Sequence, residues 1–334
     1  VQKIFKNAVK VWSDATCVDF VEDKNAQDKV VVVKGTGCFS NIGRIGGDQL
    51  LCLGDDHHTE RSALHEIGHV LGFFHTMQRF DRDSYVKIIE QNIEPNSLPE
   101  FTKVDKSDAD VYGLKYDYGS IMHYADLRHA NFVFFSHSTN QRPTIIAIDH
   151  RYQKTMGSEI ISFSDIFMIN EHYGCNAICN KSTSAKCVNE GYPHPRNCSI
   201  CICPSGYGGA ICDQRPPGCG RNLVATKKKQ TINCKLGYQP GVRDQFDACN
   251  YLIAAPAGKQ IEVDVQSISS GYEYGGCPMG GVEVKVQRKQ RLTGYRFCST
   301  KGSGGPIASR SNPLPVIIFN KVGTIATTFT YRYV

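Results

Sequence analysis

Three histidines and one glutamate stand close together in the segment HEIGHVLGFFH. His65 and His69 are four residues apart, so on a helix both imidazoles project from one face and can reach one metal ion at about 2.0 to 2.1 Å. Glu66 lies one position round, where it can contact a water on the open coordination site without filling that site. Gly72 permits the positive-φ turn that ends the helix and brings His75 back to the metal. The spacing predicts a zinc site with a general base beside it.

The alternative interpretation is an ordinary amphipathic helix with exposed histidines. A bare H-E-x-x-H string arises by chance, but the longer H-E-x-x-H-x-x-G-x-x-H is a metzincin signature when a Met-turn follows. The string SIMHY does follow, and it would place Met122 beneath the ligands and Tyr124 near the ion. The longer pattern therefore favours zinc. His57 and His58 are adjacent and cannot both face the ion, so we expect them to be loop residues.

Composition and charge narrow the class of protein. The 334 residues are 41% hydrophobic, which indicates a globular chain with more than one domain. The longest apolar runs fall far short of the roughly 20 residues that cross a bilayer, so no membrane span is expected. A net charge of +6 is modest, and we expect the Lys227 to Lys229 cluster to be a solvated loop, with no nucleic-acid partner. The start of the chain lacks a signal-peptide pattern, which predicts a processed or truncated form.

Fifteen cysteines are the strongest compositional signal. Only four fall in the first 175 residues, namely Cys17, Cys38, Cys52 and Cys175. The density in the remainder predicts a disulfide framework made in an oxidising compartment, and hence a secreted, extracellular protein. Acceptor sequons at Asn180 and Asn197 support secretion and predict glycosylation. Because the number is odd, at least one thiol must be free or pair with another molecule.

Hydrophobic periodicity predicts the elements that position the candidate site. Apolar residues that share one face predict an amphipathic first helix: Ile4, Phe5, Ala8, Val9 and Trp12. A buried strand is predicted at 30–33 and a second strand at 49–53, and helices are predicted at 59–71 and around 164–173. Beyond Cys219 the chain alternates in short strands separated by glycine-rich turns, which predicts an all-β sandwich.

The segment HEIGHVLGFFHTMQRFDRD, together with SIMHY, resembles the astacin family of zinc endopeptidases. The match reaches beyond the zinc core to residues that separate astacins from other metzincins: Phe73, Arg79, Asp81, Arg82 and Asp83. The resemblance implies that the three zinc ligands are His65, His69 and His75. It also implies that Glu66 is the base, Tyr124 a fifth, displaceable ligand that stabilises the oxyanion, and Met122 the structural methionine.

The resemblance also implies a multidomain arrangement. Residues 1–175 would form an α+β metzincin catalytic domain, 176–213 an epidermal-growth-factor-like (EGF-like) module with a linker, and 214–334 a CUB domain, an all-β sandwich. This order resembles nematode astacins. The implied disulfides are Cys17–Cys175, Cys38–Cys52, Cys179–Cys198, Cys187–Cys201, Cys203–Cys212, Cys219–Cys249 and Cys277–Cys298. Cys234 is left unmatched.

Several positions depart from the family pattern. The chain starts inside the first helix, without the family's N-terminal strand, and Thr76 replaces the glutamate that usually anchors the processed N-terminus. Cys52 stands a few residues before the family's usual cysteine position. These departures motivate the alternative that the chain is a catalytically impaired extracellular protein that binds a partner through its EGF-like and CUB modules.

The leading expectation is a secreted zinc endopeptidase of class EC 3.4.24. It would use water activated by zinc and Glu66 to cleave peptide bonds of extracellular proteins. Its expected substrates are proteins or peptides, with matrix, cuticle and egg-envelope proteins as the classes that the nematode resemblance suggests.

Overall fold

The computed structural model describes residues 1–54, 59–127, 137–299 and 305–334. The chain is multidomain: within the described ranges, helices and short strands occur up to residue 177, and the elements beyond residue 178 are all strands. Among these described residues, none of the helices has both the length and the apolar character needed to cross a bilayer.

Two helices and a small sheet form the first half of the predicted first domain. Helix α1 spans Gln2–Ala15 and helix α2 spans Glu60–Val70. The sheet consists of β1 (Lys29–Gly35), β2 (Phe39–Ser40) and β3 (Asp48–Gly54), in the order β1-β3-β2. The first helix is held on the second by the fully buried Trp12, whose indole Nε1 donates to the Leu64 carbonyl oxygen at 3.2 Å. Both predicted helices of this half and its two predicted strands are confirmed, but the predicted burial of residues 30–33 is wrong, because these side chains are only partly buried.

The second half of the first domain is mostly irregular. Strands β4 (Val86–Ile88) and β5 (Ile145–Ala147) pair antiparallel, and α3 spans Phe163–His172, which confirms the predicted third helix. A disulfide between Cys17 and Cys175 joins the chain just after α1 to the chain just after α3. The two halves are therefore covalently tied at their far ends.

The predicted middle module is held together by disulfides. Its strands β6 (Tyr192–His194) and β7 (Asn197–Ile202) form one hairpin. Three disulfides close this segment: Cys179–Cys198, Cys187–Cys201 and Cys203–Cys212. A segment this short has too little core to fold without such crosslinks. Arg196 joins it to the first domain, since its Nε donates to the carbonyl oxygens of Ser13 and Thr16 at 2.6 and 2.8 Å.

The predicted third domain is all-β, as the alternating pattern indicates. Its strands are β8 (Asn222–Val224), β9 (Gln230–Ala254), β10 (Ile261–Ile268), β11 (Gly280–Val284), β12 (Tyr295–Phe297), β13 (Ile307–Ala308) and β14 (Leu314–Tyr333). The long strands β9 and β14 pair with each other along most of their length. Strand β11 pairs with the first half of β14, and strand β10 pairs with its second half. These halves face each other, because the rings of Tyr251 and Phe329 lie 5.5 Å apart. Disulfides Cys219–Cys249 and Cys277–Cys298 complete the domain.

One implied disulfide is wrong. Cys38 and Cys52 are both free thiols in the structure. Residue Phe39, not Cys38, lies opposite Cys52 in the β2–β3 ladder, and neighbouring side chains along a strand point to opposite faces. The Cys52 thiol donates to the Gly37 carbonyl oxygen, whereas the Cys38 sulfur accepts from the Gly54 amide, each at 3.5 Å.

The unmatched Cys234 is buried in β9 opposite Thr327. Burial raises the pKa of its thiol. Since thiol exchange requires access and a thiolate, we expect Cys234 to exchange slowly in the folded domain.

We expect the oxidised protein to contain three free thiols per chain, those of Cys38, Cys52 and Cys234. Thiol titration in denaturant without reductant measures this number directly. A fully reduced sample, which should give fifteen thiols, is the control. A result of one thiol would restore the Cys38–Cys52 bridge.

Candidate functional site

Helix α2 and the turn after it bring the three histidines together. The helix begins where the Thr59 hydroxyl accepts from the Ser62 amide, and it ends before Gly72, whose φ is +107°. The chain then reverses, and the Nε2 atom of His75 lies 3.2 Å from that of His65 and 3.1 Å from that of His69. All three rings are buried. The predicted ligand set therefore converges on one point.

Two backbone carbonyls set the tautomers of the rings on α2. His65 Nδ1 lies 2.8 Å from the Ile121 carbonyl oxygen, and His69 Nδ1 lies 2.8 Å from that of Phe73. A carbonyl oxygen only accepts, so each Nδ1 carries the proton and each Nε2 offers a lone pair. Burial lowers the pKa of both rings, which keeps them neutral.

The nitrogen triangle fits a zinc ion. The Nε2 atom of His75 carries at most one hydrogen, so it cannot donate to both neighbours. A tetrahedral zinc with ligands at about 2.0 to 2.1 Å would separate pairs of nitrogens by about 3.3 Å, close to the distances found here. The three ligand atoms lie within 4.8 Å of one another. Neutral, carbonyl-oriented imidazoles are the usual zinc donors, so these residues are suited to hold it.

Glu66 lies beside this triangle with one oxygen open. Its side chain is buried, and Oε2 has no hydrogen-bond partner within the part of the chain that the structure describes. Burial raises the pKa of this carboxyl to about 8, an effect that the nearby Arg61 opposes. A buried acceptor without a partner is costly in free energy and is typical of a site that binds a ligand or water.

The Met-turn packs against the helix that carries the histidines. A Cβ added to Gly68 would lie 2.6 Å from the Met122 sulfur, so the two segments touch at the middle of α2. The Thr76 amide donates to the Met122 carbonyl oxygen at 3.1 Å, which joins the loop after His75 to the same turn. The buried Tyr124 ring packs against the His75 ring, with 4.3 Å between the two ring centroids.

Asp165 is a residue of the site that sequence reasoning missed. This buried carboxylate accepts from the Ser120 hydroxyl at 2.6 Å, the Ile121 amide at 2.8 Å and the Ser162 amide at 2.9 Å. Burial raises its pKa to about 6. Ser162-x-x-Asp165 is a capping-box pattern, which signals a helix start but not the contact with the Met-turn.

Arg61 was also missed. The pattern of an amphipathic helix places an arginine on the solvent side, yet Arg61 is buried and its Nε donates to the Ser158 carbonyl oxygen at 2.9 Å. The reason is that nine consecutive residues of α2, 61–69, are buried on every face. No sequence pattern within α2 itself indicates that the helix is buried on all sides.

The structure places His123 and the two sequon asparagines outside the histidine triangle. His57 and His58 fall outside the described residues. His123 is buried between Tyr116 and the Tyr124 carbonyl oxygen, with hydrogen bonds of 2.7 Å to each, and does not join the triangle. The side chains of Asn180 and Asn197 are exposed, each accepting from the serine two residues later.

Comparisons with known proteins agree with this geometry. The family model described as Astacin, a peptidase family, matches residues 1–174. Zinc metalloproteinase nas-31 of Caenorhabditis elegans is 43% identical over all of this chain and 53% of its own length. Zinc metalloproteinase nas-32 of the same organism is 35% identical over all of this chain and 50% of its own length. The chain thus spans about half the length of these curated relatives.

One solved structure similar to this chain is high choriolytic enzyme 1, a hatching enzyme zinc-protease from the medaka fish Oryzias latipes. It is 34% identical, covers 52% of this chain and 82% of its own, and superimposes with a TM-score of 0.46.

Replacing Asp165 by asparagine should destabilise the first domain by about 1 to 3 kcal/mol. The carboxylate accepts from three donors, and the amide NH₂ that replaces one of its oxygens cannot accept, so at least one of these donors would lose its acceptor. Chemical denaturation with Asp110→Asn as control measures this. Asp110 is exposed and, within the described part of the chain, accepts only from the Tyr112 amide, which asparagine can still do, so its variant should change little. Equal stability of the two variants would contradict the assigned role.

Gly68→Ala tests the contact between α2 and the Met-turn. Overpacking against Met122 should cost about 1 to 3 kcal/mol of unfolding free energy, although alanine is the better helix former. In a Met122→Ala background the obstruction is gone, and the same substitution should become neutral or stabilise by up to about 1 kcal/mol. An identical loss in both backgrounds, measured by thermal unfolding, would show that the contact is not responsible.

Proposed function

Because the chain belongs to the astacin family of zinc peptidases, we propose that it is a secreted zinc-dependent endopeptidase that cleaves peptide bonds of extracellular proteins. The observation that carries this proposal is the triangle of buried histidine nitrogens with the open Oε2 of Glu66 beside it. If the histidines had only a structural role, nothing would explain why a buried carboxylate oxygen beside them lacks a hydrogen-bond partner.

Each residue of the site has a distinct role in this proposal. Zinc held by His65, His69 and His75, with Tyr124 as a fifth, displaceable ligand, would supply Lewis-acid activation of a water and of the peptide carbonyl. Glu66 accepts the proton of the attacking water on Oε2 and returns it to the nitrogen of the leaving amine.

Tyr124 donates its hydroxyl hydrogen to the oxyanion that forms on the carbonyl oxygen. Burial raises the pKa of this phenol, which keeps its proton available for donation. Met122 has only a packing role beneath the ligands.

The disulfides and sequons support the extracellular assignment. Six disulfides stabilise the chain and would not persist in a reducing cytosol. The exposed Asn180 and Asn197 are the proposed glycosylation sites. We assign residues 1–175 as the catalytic domain, 176–213 as an EGF-like module and 214–334 as a CUB domain that binds an extracellular protein. Matrix, cuticle or egg-envelope proteins are the proposed substrates.

The test compares wild type with Glu66→Ala on casein or gelatin. Both proteins should bind one zinc per chain, and loss of the base should lower kcat by about 10²- to 10⁴-fold. Chelation should abolish wild-type cleavage, and added zinc should restore it.

Glu60→Ala, at the first turn of the same helix, is the matched control and should cleave within about twofold of wild type, since Glu60 is partly exposed and is not one of the residues assigned to the site. Equal cleavage by wild type and Glu66→Ala would end the peptidase proposal. A zinc-loaded wild type that cleaves nothing would favour the impaired binding protein that Thr76 motivates.

A further inference from the structure

The third domain contacts the first through buried charged groups. Arg296 and Glu283 form an ion pair at 2.9 Å, with both side chains only 4% exposed. The other end of the guanidinium crosses to the first domain, where Nη1 donates to the Ser158 hydroxyl at 2.6 Å. The Arg296 amide donates to the Thr155 hydroxyl at 3.0 Å. Two separate atoms of one third-domain residue thus hold segment 154–158 of the first domain.

Segment 154–158 in turn touches two elements of the candidate site. The carbonyl oxygen of Ser158 accepts from Nε of Arg61, one turn before His65 on α2. A Cβ added to Gly157 would lie 2.5 Å from that of Ala125, the residue that follows Tyr124. The segment therefore lies against the histidine helix on one side and against the end of the Met-turn on the other.

A second contact reaches the start of the Met-turn loop. The Thr293 amide and hydroxyl donate to the two carboxylate oxygens of Asp117 at 3.1 and 3.2 Å. Asp117 also accepts from the Gly119 amide at 3.1 Å, and a Cβ on Gly119 would lie 2.4 Å from Thr293. A residue of the third domain therefore packs against the loop that leads into Met122 and is hydrogen-bonded to it.

We propose that the third domain keeps the candidate site in its active geometry, with Arg296 and Thr293 as positioning residues. Arg296 holds Ser158 and so fixes Arg61 and α2. Thr293 holds Asp117 and so fixes the loop before Met122. The kinetic consequence rests on the proposed peptidase function, whereas the consequence for backbone order does not.

Two substitutions in the full chain separate positioning from folding. Arg296→Lys keeps a positive charge against Glu283 but loses the planar fork that serves Glu283 and Ser158 together. Thr293→Val keeps the shape and the backbone amide but removes the hydroxyl donor to Asp117. The matched control is Tyr207→Phe, which removes a buried hydroxyl that joins the middle module to Gln290 and Pro313 of the third domain and that, within the described residues, has no hydrogen bond to the first domain.

Kinetics and amide hydrogen exchange are measured on each zinc-loaded protein below its unfolding temperature. We expect kcat to fall about tenfold for Arg296→Lys and about threefold for Thr293→Val, with KM within about twofold, because a small misplacement of reacting groups lowers kcat. Exchange should become faster at 61–66 in the first variant and at 117–125 in the second. Tyr207→Phe should match wild type in both measurements.

Three outcomes would overturn the proposal. The first is wild-type kcat in both variants, even with faster exchange, since the contacts would then be structural only. The second is unchanged exchange at both segments. The third is an equal loss in Tyr207→Phe, which would indicate general loosening. If wild type itself does not cleave, the peptidase function fails, and exchange alone decides whether the third domain holds these segments.

Discussion

The candidate site depends on two backbone carbonyls that orient imidazole rings. The Phe73 oxygen belongs to the turn directly after α2, but the Ile121 oxygen lies 56 residues from the ring of His65 that it orients. A ring without such an acceptor could rotate or change tautomer, and its Nε2 lone pair would no longer point at the metal position. The metal position is therefore defined only when the Met-turn has docked on α2, so metal binding and tertiary folding of the first domain are coupled.

The supports of Ile121 extend outward through the molecule. Asp165 on α3 fixes the Ile121 amide, and the disulfide from Cys175 ties the chain after α3 back to that after α1. Asp117, four residues before Ile121, is in turn held by Thr293 of the third domain. Each support is a polar or covalent contact between segments far apart in sequence, which explains why a largely irregular stretch of chain can hold a site in place.

Sequence reasoning succeeded where chemistry is local. His65 and His69 are brought to one helix face by a spacing of four, and the turn at Gly72 sends the chain back so that His75 can return to them. The roles of Arg61 and Asp165 could not be predicted in this way, because each depends on a partner from another part of the fold. The Cys38–Cys52 pairing failed for a related reason: the register of β2 on β3 decides which side chains face each other, and spacing along the chain does not contain that register.

Buried charge at the domain junction restricts how the domains can be arranged. Lys285 is buried beside Glu283, and its Nζ donates to the Ser205 hydroxyl of the middle module at 3.0 Å. A shift of one module against the others would break the Arg296–Ser158 and Lys285–Ser205 hydrogen bonds, although the Glu283–Arg296 pair within the third domain would stay intact. Each broken bond would leave a buried polar group with one partner fewer, a penalty that an apolar interface would not impose. The same groups that cost free energy to bury thus favour one relative orientation of all three domains. The third domain is consequently held in a fixed position against Ser158 and Asp117 and is not a flexibly linked module.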